Sequence, residues 1–251
     1  MRKLYSAKTP CHAGCKYCFA GWEDIYDGQP SMENANLDND SIILYPCCDG
    51  ELFEQIDIIN NIKALSYKAK KIYISVSTKR KLTVEEMNYL ISLDRWLKES
   101  NKGFVKFSVS VSTKSRVAEI EPNAAVYSER LLIAEQLKDA HIQTSLNIKP
   151  ILPFIPEEEY FEILNDFSPY TKHVMLGGLY VNPSSGFYKT YIHDKFICKK
   201  RKVCWLNNCP EWYYVEDESK TQKIMSFADT LGMHVYKSDE EFINTIRNQM
   251  E

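Results

Sequence analysis

Three cysteines crowd into CHAGCKYCF near the start of the chain, Cys11, Cys15 and Cys18, at a spacing of four and then three. A structural zinc ion wants four ligands. Only three thiols are close here, and His12 is too near Cys11 for both to reach one ion from a tight turn. An iron–sulfur cube held by three thiolates leaves one iron open to an exchangeable ligand, and that is the chemistry the spacing favours. A second group follows in YPCCDGELF, where Cys47 and Cys48 precede Asp49 and Glu51. A third comprises Cys198, Cys204 and Cys209, and it ends in a Cys-Pro pair like that of ferredoxin-type cluster loops. With three thiols in that group, the alternatives are a second cluster completed from elsewhere or zinc with His193 as fourth ligand.

The chain has 251 residues, eight of them cysteine, and a formal net charge of −3. Its composition, 44% hydrophobic and 26% charged, is that of a globular protein able to bury a sizeable core. The charge gives no global pull toward nucleic acid or an anionic membrane. No apolar run approaches the roughly 20 residues that span a bilayer. The basic start MRKLYSAKTP has no apolar signal region behind it. The expected compartment is the cytoplasm, where thiols stay reduced, so cysteines there point to metal or redox chemistry rather than staples.

These groups need a scaffold, and the sequence supplies one. Strand-like runs recur at KLYS, SIILY, KIYISVS, FVKFSVSVS, TSLNIKPIL and HVMLGGLYV. Helical stretches lie between them, at 54–65, 83–98, 125–138 and 157–167. In the third, Leu131, Leu132, Ala134, Glu135 and Leu137 are read as the face that carries the apolar groups. Thr83 with Glu86 three residues later forms a capping-box pattern. Strands alternating with helices predict βαβ units and a parallel sheet. About six such units fit, fewer than the eight of a closed barrel. After about residue 183 the pattern degrades into a loop and the Cys-rich stretch, then a helix, a short strand MHVY and a closing helix. The expected organisation is a core over 1–183 and a C-terminal extension over 184–251, within one domain or as a small appendage.

Cys11-x-x-x-Cys15-x-x-Cys18, with Tyr17 before the last cysteine, resembles the signature of radical S-adenosylmethionine (AdoMet) enzymes. Their fold is a partial (β/α)6 TIM-like barrel, in agreement with the strand and helix count. TKRKL, SVSVST, EIEPNAAVYSERLLIAEQLKDAHI and IKPILPFIP, in that order, are similar to elements of the spore photoproduct lyase-like branch. His141 departs from that pattern, standing where such proteins usually have Gly at a helix end, so a left-handed cap there carries strain.

The resemblance implies a [4Fe–4S] cluster on Cys11, Cys15 and Cys18 whose open iron chelates AdoMet. One electron then cleaves the cofactor and a 5′-deoxyadenosyl radical abstracts hydrogen from substrate. It implies cofactor-binding roles for Asp49 and Glu51, which suit the AdoMet ammonium. The competing assignment is to the helix start near Leu52, where an acid suits the dipole. Lys79 would face the AdoMet carboxylate, Ser110 would offer a hydroxyl, and Tyr17 would lie beside the adenine. Alternation puts Ser108, Ser110 and Ser112 on one face, which implies a polar lumen. Glu121 and Arg130 are read as a structural ion pair. Cys47 or Cys48 would return a hydrogen atom to a product radical, as a cysteine does in the lyase-like branch.

The leading expectation is a lyase-like or repair-type enzyme acting on a nucleotide or nucleic acid. One alternative is a peptide- or protein-modifying enzyme with an auxiliary cluster at the C-terminal cysteines. Another is a non-catalytic Fe–S or zinc-binding protein. An electron donor such as a flavodoxin or ferredoxin is the expected partner.

Overall fold

The computed structural model describes residues 2–5, 11–18, 41–203 and 209–250. Strand β1 (Arg2–Leu4) and β2 (Ile42–Tyr45) are followed by a 3-10 turn (Leu52–Glu54) and helix α1 (Ile56–Lys68). Then come β3 (Ile72–Thr78), α2 (Val84–Glu99), β4 (Gly103–Ser110), the short α3 (Val117–Ile120), α4 (Tyr127–Asp139), β5 (Gln143–Ile148), α5 (Glu157–Phe167) and β6 (His173–Leu176). The remainder comprises β7 (Leu179–Val181), a π-helical turn (Tyr188–Ile192), β8 (Lys199–Lys202), β9 (Glu211–Val215), α6 (Glu218–Thr230), β10 (His234–Tyr236) and α7 (Asp239–Met250).

Seven parallel strands form one sheet in the order β1-β2-β3-β4-β5-β6-β10. Strand order thus follows chain order until the last strand, as in an open, partial TIM-like barrel. The seventh strand is the MHVY segment, which pairs with β6 (Val174 opposite Val235) rather than standing apart. HVMLGGLYV is two strands and not one. β6 ends at Leu176, and after Gly177-Gly178 the chain enters β7 of a small antiparallel sheet, β7-β9-β8. A Cβ on Gly178 would stand 2.7 Å from the Tyr214 hydroxyl, so a larger residue there would push the Tyr214 ring aside. KKRK, within the Cys-rich stretch, is the exposed strand β8.

Alternation sorts the sheet into two faces. Ile42, Leu44, Ile72, Ile74, Val105 and Phe107 point outward into the main core, with the buried faces of α1, α2, α4 and α5. Helix α2 starts with the expected box: Glu86 N–H donates to Thr83 Oγ1 at 3.2 Å and Thr83 N–H donates to Glu86 Oε2 at 2.7 Å. The buried stripe of α4 is Arg130, Ile133, Ala134 and Leu137, while Leu132 is 54% exposed, which rotates the expected face. Spacing of three and four fits the observed stripe equally well, so hydrophobicity alone misplaced it. His141 adopts φ +56° past the end of α4. Its N–H donates to the Lys138 carbonyl at 2.9 Å and the next N–H reaches Leu137 at 3.0 Å. That is a Schellman cap with histidine at the position glycine usually takes.

The inner face is polar above and apolar below. Ser77, Ser108 and Ser145 stand in register across β3, β4 and β5, with Ser110 and Asn147 nearer the strand ends. Below them Ile43, Tyr73, Phe104, Met175 and Tyr236 pack against Phe242, Ile243 and Ile246 of α7. Arg2 on the first edge strand meets Glu240 of α7 at 3.5 Å, so α7 plugs the lower lumen and reaches the far edge.

Candidate active site

The carboxyl ends of the parallel strands surround a cavity of about 550 Å³. Cys11, Cys15 and Cys18 all line it and none is in a disulfide. Their loop is held by neighbours far away in sequence. Lys16 N–H donates to the Ile120 carbonyl at 2.9 Å, Asn123 N–H donates to Ala13 at 3.2 Å, and Asn123 Nδ2 donates to the His12 carbonyl at 3.0 Å. On the other side His12 N–H donates to Glu54 Oε2 at 3.1 Å. Gly14 takes φ +61° inside the loop, a conformation that favours glycine. Burial pushes the Cys11 thiol up to about 11 and the Cys15 thiol up to about 12. A metal centre that takes them as thiolates therefore releases protons on binding. Among the described residues no three His, Cys, Asp or Glu side chains are grouped so as to hold a single metal ion.

Tyr17 anchors the loop from behind. Its hydroxyl lies 2.8 Å from Ser112 Oγ and donates to Glu121. Glu121 pairs with Arg130 Nη2 at 2.6 Å, and both side chains are fully buried. Arg130 also donates to the carbonyls of Ala125 at 2.9 Å and Ser110 at 3.0 Å. Lys79 Nζ stands 3.8 Å from Glu121 Oε1 and 5.3 Å from the Tyr17 ring centre. Burial alone would raise the Glu121 pKa, but the Lys79 and Arg130 cations outweigh it and hold the carboxyl below its ordinary value. The Tyr17 phenol is pushed well above its ordinary value, by burial first and by Glu121 second. Its polar end is thus committed to the protein, while the residue itself lines the cavity.

The segment after β2 supplies the next wall. Asp49, Gly50, Glu51 and Cys48 line the cavity. Glu51 accepts the Thr78 hydroxyl at 2.6 Å on one oxygen and the Lys79 N–H at 2.7 Å on the other. Both oxygens therefore clamp this segment to the end of β3, and burial raises the carboxyl's pKa. Asp49 is buried at 6% exposure. Cys48 donates its thiol hydrogen to the Tyr5 carbonyl at 3.2 Å. Cys47 turns into the hydrophobic core instead of lining the cavity. Burial drives its pKa far up. Ser110 lines the cavity and receives Asn147 Nδ2 at 3.2 Å.

The structure thus brings Tyr17, Asp49, Glu51, Lys79, Ser110 and Cys48 to the cavity that the three cysteines line. Cys198, whose thiol lies 3.4 Å from the Phe196 carbonyl, and the exposed Cys209 do not line it. Cys204 lies outside the described residues. Sequence reasoning missed Asn123 and Glu54, which hold the loop. It also missed the wall made by Asn147, Lys149, Tyr180 and Tyr214. Their only sequence signal is a position at or just after a strand or turn.

No protein-family model and no curated protein matches the chain. Solved structures do. Spore photoproduct lyase complexed with dinucleoside spore photoproduct superposes with a TM-score of 0.57 at 12% identity, covering 94% of this chain and 75% of that one. A variant of the lyase with bound AdoMet and dinucleoside spore photoproduct gives 0.53 at 12%, covering 79% and 61%. SuiB of Streptococcus suis gives 0.55 at 11%, covering 94% of this chain and 48% of that one. This chain therefore spans less than two thirds of the AdoMet-bound lyase variant and about half of SuiB. The fold is the one that spore photoproduct lyase and SuiB share, the open parallel barrel implied by the resemblance to radical AdoMet enzymes.

Proposed function

We propose that this chain is a radical AdoMet enzyme of the lyase or repair type, acting on a nucleotide or nucleic acid. One observation carries the reading: Cys11, Cys15 and Cys18 line the same cavity as Asp49, Lys79 and Ser110. The donor set fits a [4Fe–4S] cluster, with three thiols on one wall and polar groups for AdoMet on the next. When bound, the cluster supplies the electron that cleaves AdoMet to a 5′-deoxyadenosyl radical, which takes hydrogen from substrate. The chain's own residues bind, orient and exclude water. Asp49 takes the AdoMet ammonium, because both Glu51 oxygens already serve Thr78 and Lys79. Lys79 takes the carboxylate and Ser110 offers its hydroxyl. Cys48 is the hydrogen-returning thiol, since Cys47 faces the core. The nucleotide assignment draws on the fold likeness to spore photoproduct lyase. A flavodoxin or ferredoxin supplies the electron.

Anaerobic reconstitution followed by dithionite and AdoMet should yield 5′-deoxyadenosine, and Cys15→Ala should lose both that product and the cluster absorbance. Deoxyadenosine from Cys15→Ala would overturn the ligand assignment. About four irons per chain fits one cluster, and about eight requires a second at Cys198, Cys204 and Cys209. With dinucleoside spore photoproduct as probe, Cys48→Ala should still make deoxyadenosine but lose conversion, while Cys47→Ala keeps both. Absence of conversion by the wild type removes the nucleotide assignment and leaves the radical chemistry standing.

A further inference from the structure

The cavity wall facing the cysteine loop has its own charge pattern. Asp49 and Glu51 are the acids among its lining residues, and both belong to the segment after β2. Lys149, just past β5, and Lys237, just past β10, line the opposite side. The Lys149 stem runs over Gly177, where a Cβ would stand 2.9 Å from its Cγ. Among the described residues no hydrogen-bond acceptor lies within reach of the Lys149 ammonium. The carboxylate that acts on it is Asp239 at the start of α7. Asp239 is already engaged, because it accepts a hydrogen bond from the fully buried Lys106. Two inward cations thus share one carboxylate, and burial lowers the pKa of both lysines. Lys106 is fully buried, whereas Lys149 is half-buried and opens on the cavity, where its ammonium has no hydrogen-bonded counter-ion among the described residues.

We propose that Lys149 is the centre of an oxyanion subsite that holds a phosphate or carboxylate group of the substrate, across the cavity from Cys11, Cys15 and Cys18. Lys149 supplies a charge-assisted hydrogen bond, and Lys237 adds positive charge at the same wall. The neighbouring Tyr180 and Tyr214 rings, 4.7 Å apart, give the group's organic remainder an apolar surface. Gly177 is required there because any larger residue would push the Lys149 stem aside. Naming the occupant as substrate rests on the radical AdoMet reading; the binding of an oxyanion does not.

The test uses the purified chain, with and without reconstituted cluster and AdoMet, titrated calorimetrically with inorganic phosphate and separately with acetate. Saturable binding of at least one ion is expected. It should weaken about tenfold in Lys149→Met, the loss of one charge-assisted hydrogen bond, and largely return in Lys149→Arg. A preference for phosphate identifies a phosphate-bearing substrate, and a preference for acetate a carboxylate-bearing one. Without ligand, Lys149→Met should melt about 2 °C higher than wild type, because a charge lacking a counter-ion has gone. A lower melting temperature would mark a structural lysine and overturn the subsite, as would equal anion binding in both proteins or none in either. Parallel loss of AdoMet affinity in Lys149→Met would assign the ammonium to the cofactor's carboxylate and overturn the substrate role. Failure of deoxyadenosine formation with anion binding intact would instead reject only the radical AdoMet reading.

Discussion

Glu121 has three partners, and the cysteine loop depends on them. Tyr17, between Cys15 and Cys18, donates to it; Arg130 pairs with it at 2.6 Å; Lys79 stands 3.8 Å away. Glu121→Gln keeps the shape but leaves Arg130 buried without a counter-charge. Breaking such a pair on one side costs about 3–5 kcal/mol. Urea unfolding should show a loss of that order, and, on the proposed function, iron quantification should show fewer cluster-loaded chains because the charge-assisted anchor of Tyr17 becomes a neutral one. Adding Arg130→Met should restore part of the stability, since the guanidinium no longer stands buried without a counter-charge, while Lys79 still lacks its carboxylate. A double variant as unstable as Glu121→Gln would mean that the charge is not what the site needs. That Cys11, Cys15 and Cys18 share one place was legible in the sequence, because they are local; all three line the cavity. Asn123 and Ser112 were not, because they meet the loop only after α3 and β4 are in place.

At the scale of elements, the lumen's character was readable from FSVSVS, where a period of two put the serines inward. The break at Gly177-Gly178 was not, since an apolar run looks continuous whichever sheet its halves join. Nor could MHVY be given a neighbour, because three strand residues do not specify a partner; β6 is chosen by packing over α6 and α7. That β6–β10–α7 corner holds a titratable group. His173 lies opposite His234 in register, its Nδ1 is 3.0 Å from the Tyr236 hydroxyl, and Phe242 meets its ring edge-on. Burial, with His234 and Lys106 adding repulsion, lowers its pKa from 6.5 to about 4. Between those values the unfolded chain binds the proton and the folded chain does not. Stability is therefore fully present above pH 6.5 and is lost progressively as pH falls toward about 4. Thermal melts across that window should show the decline, and His173→Gln should flatten it. An unchanged slope would place the acid sensitivity elsewhere.

An open barrel must shut its lower end, or its apolar strand starts face water. Here the chain's last helix does this. α7 begins behind Ser238, whose hydroxyl accepts the Glu241 N–H at 3.1 Å, and its first turn carries Asp239, Glu240 and Glu241, favourable at a helix N-terminus. Its apolar side, Phe242, Ile243 and Ile246, fills the space beneath Tyr73, Phe104 and Tyr236. One turn therefore serves three ends: Asp239 neutralises Lys106 inside, Glu240 reaches Arg2 on the first strand, and Phe242 seals the floor. Phe242 has no exposed surface, so Phe242→Ala removes a fully buried ring and leaves a void, at a cost of about 3–5 kcal/mol. Ile56→Ala, at a side chain 69% exposed, should cost about 0.5 kcal/mol or less. Urea titration of both variants against wild type separates these outcomes. If α7 lifts away as a unit, the Phe242→Ala transition should also broaden, because less surface remains to be exposed on unfolding. A midpoint within error of the Ile56→Ala protein would mean that the strands hold the lumen shut without α7.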